Sequence, residues 1–179
     1  MAQVRHDNLL AEAERVADQR RPSFEVISAS DGLGIAEVGS VCLVVWRSAV
    51  VRERFLRQRA ALTDFTTRHR SRAGFVTVIE PDAPPPEDAI RKASIEMIAT
   101  LSGQLACVAC VIEGDGFRAA ATRSVLSGMA LLLPKLRTEV KYLATVAAAG
   151  TWVSTRCDGV TSAALCQAHD QLRERLTTR

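Results

Sequence analysis

Two stretches of the chain read almost alike. Gly74-Phe75-Val76-Thr77-Val78-Ile79-Glu80-Pro81-Asp82 and Cys107-Val108-Ala109-Cys110-Val111-Ile112-Glu113-Gly114-Asp115-Gly116 are each an apolar run ending in Val-Ile-Glu-x-Asp, and each is followed by helical spacing. Continuous apolar runs of this length, bounded by turn residues and alternating with helical patterns, predict parallel strands buried on both faces. The flanking pattern predicts the other elements. Residues 23 to 28 read as a first strand with Phe24 and Val26 on one face, and Asp31-Gly32-Leu33-Gly34 supplies a turn. A second strand runs from Ile35 to Trp46, with Gly39 as a bend or bulge. These two strands form a hairpin.

Helical periods begin at Ala49. Val51, Phe55, Leu62, Phe65 and His69 share one face of a helix that ends near Arg70. Ile90, Ser94, Met97, Leu101 and Leu105 mark the next helix, which opens with Pro86-Glu87-Asp88, where acids suit the positive helix end. A small-faced helix from Phe117 to Leu133 carries Ala119, Ala120, Ala121, Ser124 and Gly128, and Pro134 stops it. Residues 139 to 146 alternate as a further strand. A short helix with Trp152, a turn at Asp158-Gly159 and an amphipathic helix with Leu165, Ala168, Leu172 and Leu176 complete the chain, while Val4 to Gln19 suits an N-terminal amphipathic helix. The fold class is therefore α/β: a single sheet of four or five strands, parallel at its centre with an N-terminal hairpin, and helices packed on it. Residues 1–22 and 158–179 read as helical extensions of a central domain over 23–157.

Composition narrows this picture. With 179 residues, 47% hydrophobic and 4% aromatic, the chain is the size of one domain with an aliphatic core. A net charge of +3 is too small to argue for nucleic acid. The N-terminal stretch lacks the apolar core of a signal peptide, and no apolar run approaches the ~20 residues of a membrane span. Five cysteines without regular spacing fit a reducing, cytoplasmic setting. Charge distribution says more than the total: between Arg47 and Arg72 eight arginines face only Glu53 and Asp64. Such a run is either a solvated helix face or a docking surface for an acidic protein partner or a phosphate-bearing ligand, and no aromatics are interleaved for base stacking.

Candidate chemistry gathers at the strand ends. Two parallel strands deliver Glu80, Asp82, Glu113 and Asp115 to the carboxyl edge of the sheet, where open α/β folds usually place their sites. Four carboxylates there can bind a hard cation or perform acid–base work, and they also serve as ordinary turn and cap residues. Gly114-x-Gly116 with Arg118 and Arg123 offers a phosphate site at a helix N-terminus, although it is only a fragment of a dinucleotide fingerprint. Cys107 and Cys110 form a Cys-x-x-Cys pair, but residues three apart on a strand point to opposite faces, so core packing is the expectation. His6, His69 and His169 are scattered and assemble no triad. No catalytic residue, metal or cofactor is assigned.

The order hairpin, helix, strand, helix, strand, helix, strand, helix resembles the STAS domain of anti-sigma-factor antagonists and sulfate-transporter tails. Residues about 24–156 carry the resemblance, through Val44-Val45-Trp46, the stretch 74–80 and Val111-Ile112-Glu113-Gly114-Asp115-Gly116-Phe117-Arg118. It implies a bacterial module, without catalysis, that binds a protein partner. Binding to itself is expected through the terminal helices, where Leu9, Leu10, Leu165, Leu172 and Leu176 have to pack. Phospho-switched members carry a Ser or Thr after the third strand. The corresponding residues 80–88 here contain no hydroxyl, so the resemblance implies binding without the switch, or an acidic loop that mimics the phosphorylated charge. Arg52, Arg57, Arg59, Asp82, Glu87 and Asp88 are the expected partner-binding residues. Glu80, Glu113, Asp115, Arg118 and Arg123 are the candidates for a ligand. Two other readings stay open: a binder of a small apolar or anionic molecule, in a pocket beside helix 117–133 lined by Ala121, Ser124, Val125 and Met97, and an enzyme using the acidic edge.

Overall fold

The computed structural model describes residues 24–69, 72–114 and 137–177. The expected helices at 4–19 and 117–133 lie outside the described residues. Among those described, six strands form one mixed sheet in the order β1-β2-β3-β4-β5-β6: β1 (Phe24–Ser30), β2 (Leu33–Val38), β3 (Val41–Trp46), β4 (Ala73–Ile79), β5 (Leu105–Ile112) and β6 (Glu139–Leu143). The first three pair antiparallel, and β3 to β6 run parallel. Helix α1 (Arg52–His69) joins β3 to β4, and α2 (Asp88–Leu101) joins β4 to β5. Helices α3 (Val146–Val153) and α4 (Ser162–Thr177) follow β6.

The sheet therefore has six strands, not four or five. The segment 35–46 reads as one bent strand, but the chain reverses at Gly39-Ser40 so that Val38 pairs with Val41. Gly39 sits at φ +54°, and a Cβ there would lie 2.4 Å from the carbonyl oxygen of Gly159. Ser40 fixes the reversal: its hydroxyl donates to the Asp158 carbonyl at 2.8 Å, and its own carbonyl accepts from the Gly74 amide at 2.7 Å. The β1–β2 turn is tighter than expected, with Asp31 (φ +52°) and Gly32 (φ +74°) as its two central residues. That is the Asp-Gly geometry that matches the strand twist. Leu105 also changes role. Helix α2 ends at Leu101, and Leu105 opens β5 instead of closing the helix. Val146 likewise leaves the last strand and begins α3, where the Thr145 hydroxyl caps by accepting from the Ala148 amide at 3.1 Å.

β3 and β5 are almost wholly buried because helices cover both sheet faces. Alternation along the strands sorts their side chains. Leu43, Val45, Val76, Val78 and Val111 meet α3 and α4, whereas Val44, Phe75 and Val108 meet Phe55, Leu62, Phe65 and Met97 of α1 and α2. Consecutive parallel strands joined by right-handed crossovers place α1 and α2 on the same face. The opposite face is left for the C-terminal helices. Helix α4, which reads as an extension, packs on the sheet: Leu165, Ala168 and Leu172 are fully buried. Its apolar stripe is thus used within the chain.

Leu172 also contacts Gly34 on β2, where an added Cβ would lie 3.1 Å from Leu172 Cδ2. Replacing Leu172 with Ala is expected to lower stability by about 2–5 kcal/mol, the cost of a large-to-small change in a core. Urea unfolding followed by circular dichroism should show one cooperative transition at a lower midpoint; a separate early transition of α4 alone would contradict its integral role.

Candidate functional site

Parallel register builds the carboxyl edge. Trp46, Ile79 and Ile112 are aligned across β3, β4 and β5, so the next residues, Arg47, Glu80 and Glu113, sit side by side. Backbone bonds extend the ladder to this row: the Glu80 amide donates to the Trp46 carbonyl at 2.9 Å, and the Glu113 amide to that of Ile79 at 3.0 Å. By alternation these side chains share the face of Val45, Val78 and Val111, which α4 covers. Helix α4 contributes His169 and Arg173, four residues apart and so on one helical face.

Glu80 is the centre of this cluster and is 5% exposed. Arg47 Nε donates to its Oε2 at 2.8 Å and an Arg47 terminal nitrogen to Oε1 at 3.2 Å, while Arg173 Nε lies 3.0 Å from Oε1. Hydrogen bonding to Glu80 raises the Arg47 pKa. The buried carboxylate is therefore matched by two cations, one from its neighbouring strand and one from the covering helix. Glu113 stands 3.9 Å from His169 Nε2, too far for a hydrogen bond. His169 is 4% exposed and its Nε2 has no hydrogen-bond partner. Burial lowers its pKa, opposed by Glu113 and reinforced by Arg173. The imidazole is accordingly held neutral.

Glu80 and Glu113 do come to one edge, but Glu80 is tied up in ion pairs rather than offered to a ligand. Asp82 is exposed in the loop beyond. Asp115, Arg118 and Arg123 lie outside the described residues. Among the described residues no group of three or more His, Cys, Asp or Glu side chains is placed to hold a metal ion. Gly114, at φ +98°, packs against Pro81, so the exits of the two similar strands touch each other.

The arginine-rich stretch divides into two kinds of residue. Arg54 donates to Ser48 and the Ala49 carbonyl, Arg57 reaches Ser30 and Asp31, Arg68 pairs with Glu37 and Asp64, and Arg72 pairs with Asp158. Arg57 thus ties α1 to the β1–β2 turn. Arg52 and Arg59 have no ion pair among the described residues, and both line an open groove of about 660 Å3. One wall is the first half of α1; the other is Pro84-Pro85-Pro86, Glu87 and the start of α2. Val51 and Leu56, 45% and 43% exposed, supply apolar surface on the α1 side. Glu87 occupies the N-cap position of α2 without making a capping bond, so its carboxylate is not spent on the helix. Asp88 is engaged by Arg91 one turn on.

Cys107 and Cys110 point to opposite faces as their spacing predicts, and both are buried. Burial pushes the Cys110 thiol up to about 12, which removes it as a nucleophile. Cys107 instead meets Cys157, with sulfurs 3.5 Å apart, a contact that joins residues 50 apart and has no local sequence signal. Arg47, His169 and Arg173 are likewise absent from the sequence-level candidates. A partial signal existed for one of them: His169 lies four residues after Leu165 and three before Leu172, on the apolar stripe of α4.

The fold is a three-layer α/β/α domain with a buried ion cluster at the carboxyl edge of its sheet and an apolar, arginine-flanked groove on its α1–α2 side. No helix among the described residues is long and apolar enough to cross a membrane. No known family model and no curated protein matches the sequence.

Two outcomes test the ion cluster. Glu80→Gln removes the carboxylate charge that Arg47 and Arg173 share and is expected to cost about 1.5–3 kcal/mol, the range for hydrogen bonds to charged groups; an unchanged urea midpoint would show the cluster to be energetically idle. His169 supplies a pH dependence. Its folded pKa lies below its unfolded value of about 6.5, so the unfolded chain takes up the proton first and stability falls as pH drops through about 6.5. Urea midpoints of the wild type and His169→Gln measured from about pH 8 to about pH 5 should diverge in slope, with the wild type losing more stability on the acid side.

Proposed function

We propose that this chain is a bacterial, cytoplasmic interaction or signalling module of STAS-like type, acting without catalysis and without the phosphoacceptor of the switched members. One observation carries the reading. Helix α1 and the proline loop, separated in the chain by the buried strand β4, form the two walls of a single groove, and Arg52 and Arg59, the arginines of α1 whose guanidinium groups make neither an ion pair nor a hydrogen bond among the described residues, both belong to it. Arg52, Leu56 and Arg59 stand at helical spacing along one stripe. An apolar side chain flanked by cations suits a partner segment with an apolar residue between acids, and Glu87 on the opposite wall suits a basic residue of the same segment. The three prolines make the second wall stiff, which lowers the entropy lost on docking.

Asp82, Arg57 and Asp88 have lesser places in this reading. Arg57 is used within the fold, Asp88 within α2, and Asp82 stands in the loop that leads to the prolines. Glu87 is the acid of the loop best placed to mimic a phosphate or pair with a partner's base.

The double variant Arg52→Glu, Arg59→Glu tests the groove. Partner retained from host lysate by the tagged wild-type chain would be purified and titrated calorimetrically against both proteins. At least a tenfold loss of affinity is expected, since each reversal opposes an acid on the partner. Equal affinity would place the interface elsewhere.

A further inference from the structure

The sheet face beneath α1 and α2 is incompletely filled. A cavity of about 100 Å3 lies between that face and the two helices. Its floor is a row of cross-strand neighbours: Thr77 on β4 aligns with Cys110 on β5, and Cys110 with Tyr142 on β6. In a parallel sheet covered by helices such positions are normally aliphatic. Here three polar atoms replace hydrocarbon in adjacent places on one side of the sheet. Among the described residues, neither the Thr77 nor the Tyr142 hydroxyl has a hydrogen-bond partner. Gln58 reaches in from α1. Its side-chain oxygen accepts from Trp46 Nε1 at 3.1 Å, and its amide nitrogen finds only Met97 Sδ, at 3.9 Å. A thioether is a weak acceptor, so this amide too has donor capacity to spare.

We infer that this cavity is a binding site for a small neutral aromatic molecule carrying one hydroxyl, a phenol or an aromatic alcohol, with the ring against Phe55, Phe75 and Met97 and the hydroxyl among Thr77, Tyr142 and Gln58. Size sets the upper bound. An apolar cavity of about 150 Å3 admits benzene, so about 100 Å3 limits the enclosed part of a ligand to one ring or less bulk. Charge sets the class. Arg91 is the single charged side chain among the lining residues, and it is committed to Asp88 and the Pro86 carbonyl. An anion would find no free cation there. The polar groups set the substituent: a hydroxyl donates and accepts, and so satisfies both kinds of neighbour. Burial raises the Tyr142 pKa to about 12, which keeps its phenol a donor at neutral pH. Val50, Phe55, Pro86 and Ile90 line both this cavity and the groove, so the two adjoin.

This site differs from the pocket expected from sequence beside helix 117–133, with Met97 the residue common to both. It is also independent of the groove reading, because it concerns the interior side of the same helices.

The probes are phenol, benzyl alcohol and benzene, titrated into the isotope-labelled full-length protein and followed by amide chemical shifts. Saturable shifts centred on Thr77, Cys110 and Tyr142 are expected, with phenol and benzyl alcohol binding more tightly than benzene. Thr77→Val keeps the shape and removes the hydroxyl; it should weaken phenol about tenfold and leave benzene unchanged. Ser94→Met, on the half-buried side of α2, fills the space and should abolish binding of all three while its circular dichroism stays that of the wild type. The inference is overturned by absence of saturable binding, by shifts confined to Arg52, Leu56 and Arg59, or by phenol binding that Thr77→Val and Ser94→Met leave intact.

Discussion

The central constraint is that β3, β4 and β5 are buried on both faces. A strand in that position can carry almost no polar side chain along its length, so polarity is pushed to its ends. Because these three strands run parallel and in register, their ends coincide, and Arg47, Glu80 and Glu113 arrive at one edge together. Burying Glu80 there requires compensation. The neighbouring strand supplies Arg47, and α4 supplies Arg173. The same requirement that covers the sheet thus draws the last helix of the chain into the core.

The two sides of the sheet have different characters as a result. On the α3–α4 side Leu43, Val45, Val76, Val78 and Val111 are sealed by Leu165 and Leu172, and the ion cluster closes the edge. On the α1–α2 side the crossover helices leave space, a pocket over Thr77, Cys110 and Tyr142 and a groove beside the proline loop. One wall of the groove is Pro84-Pro85-Pro86 with the start of α2, and the other is the first half of α1. Both proposed recognition surfaces lie on this looser side, away from the sealed core.

Much of the architecture could be read from the chain. The apolar runs at 75–79 and 107–112 are β4 and β5, the helical period from 51 to 69 is α1, and the spacing of Leu165, Ala168 and Leu172 is α4. The differences lie at element boundaries and have local causes. Gly39-Ser40 lies between two apolar runs and is itself a hairpin signal, yet unbroken hydrophobicity on both sides made 35–46 look like one strand. Leu105 continued the helical period of α2 by coincidence, because three residues of turn nearly complete the next helical repeat.

By itself the sequence determined the strand and helix types, the acidic exits of β4 and β5, and the arginine-rich surface of α1. These follow from local patterns: alternation, helical period, and the polar residues that end apolar runs. Only the tertiary structure decided which arginines are spent. Arg57, Arg68 and Arg72 are paired by residues 26, 31 and 86 positions away, whereas Arg52 and Arg59 are left to the groove. It also turned Glu80 from a candidate ligand into the buried centre of an ion cluster, and set Cys107 beside Cys157 rather than Cys110. Contacts between residues so distant in the chain depend on how strands align and which face a helix covers, and no local pattern encodes that.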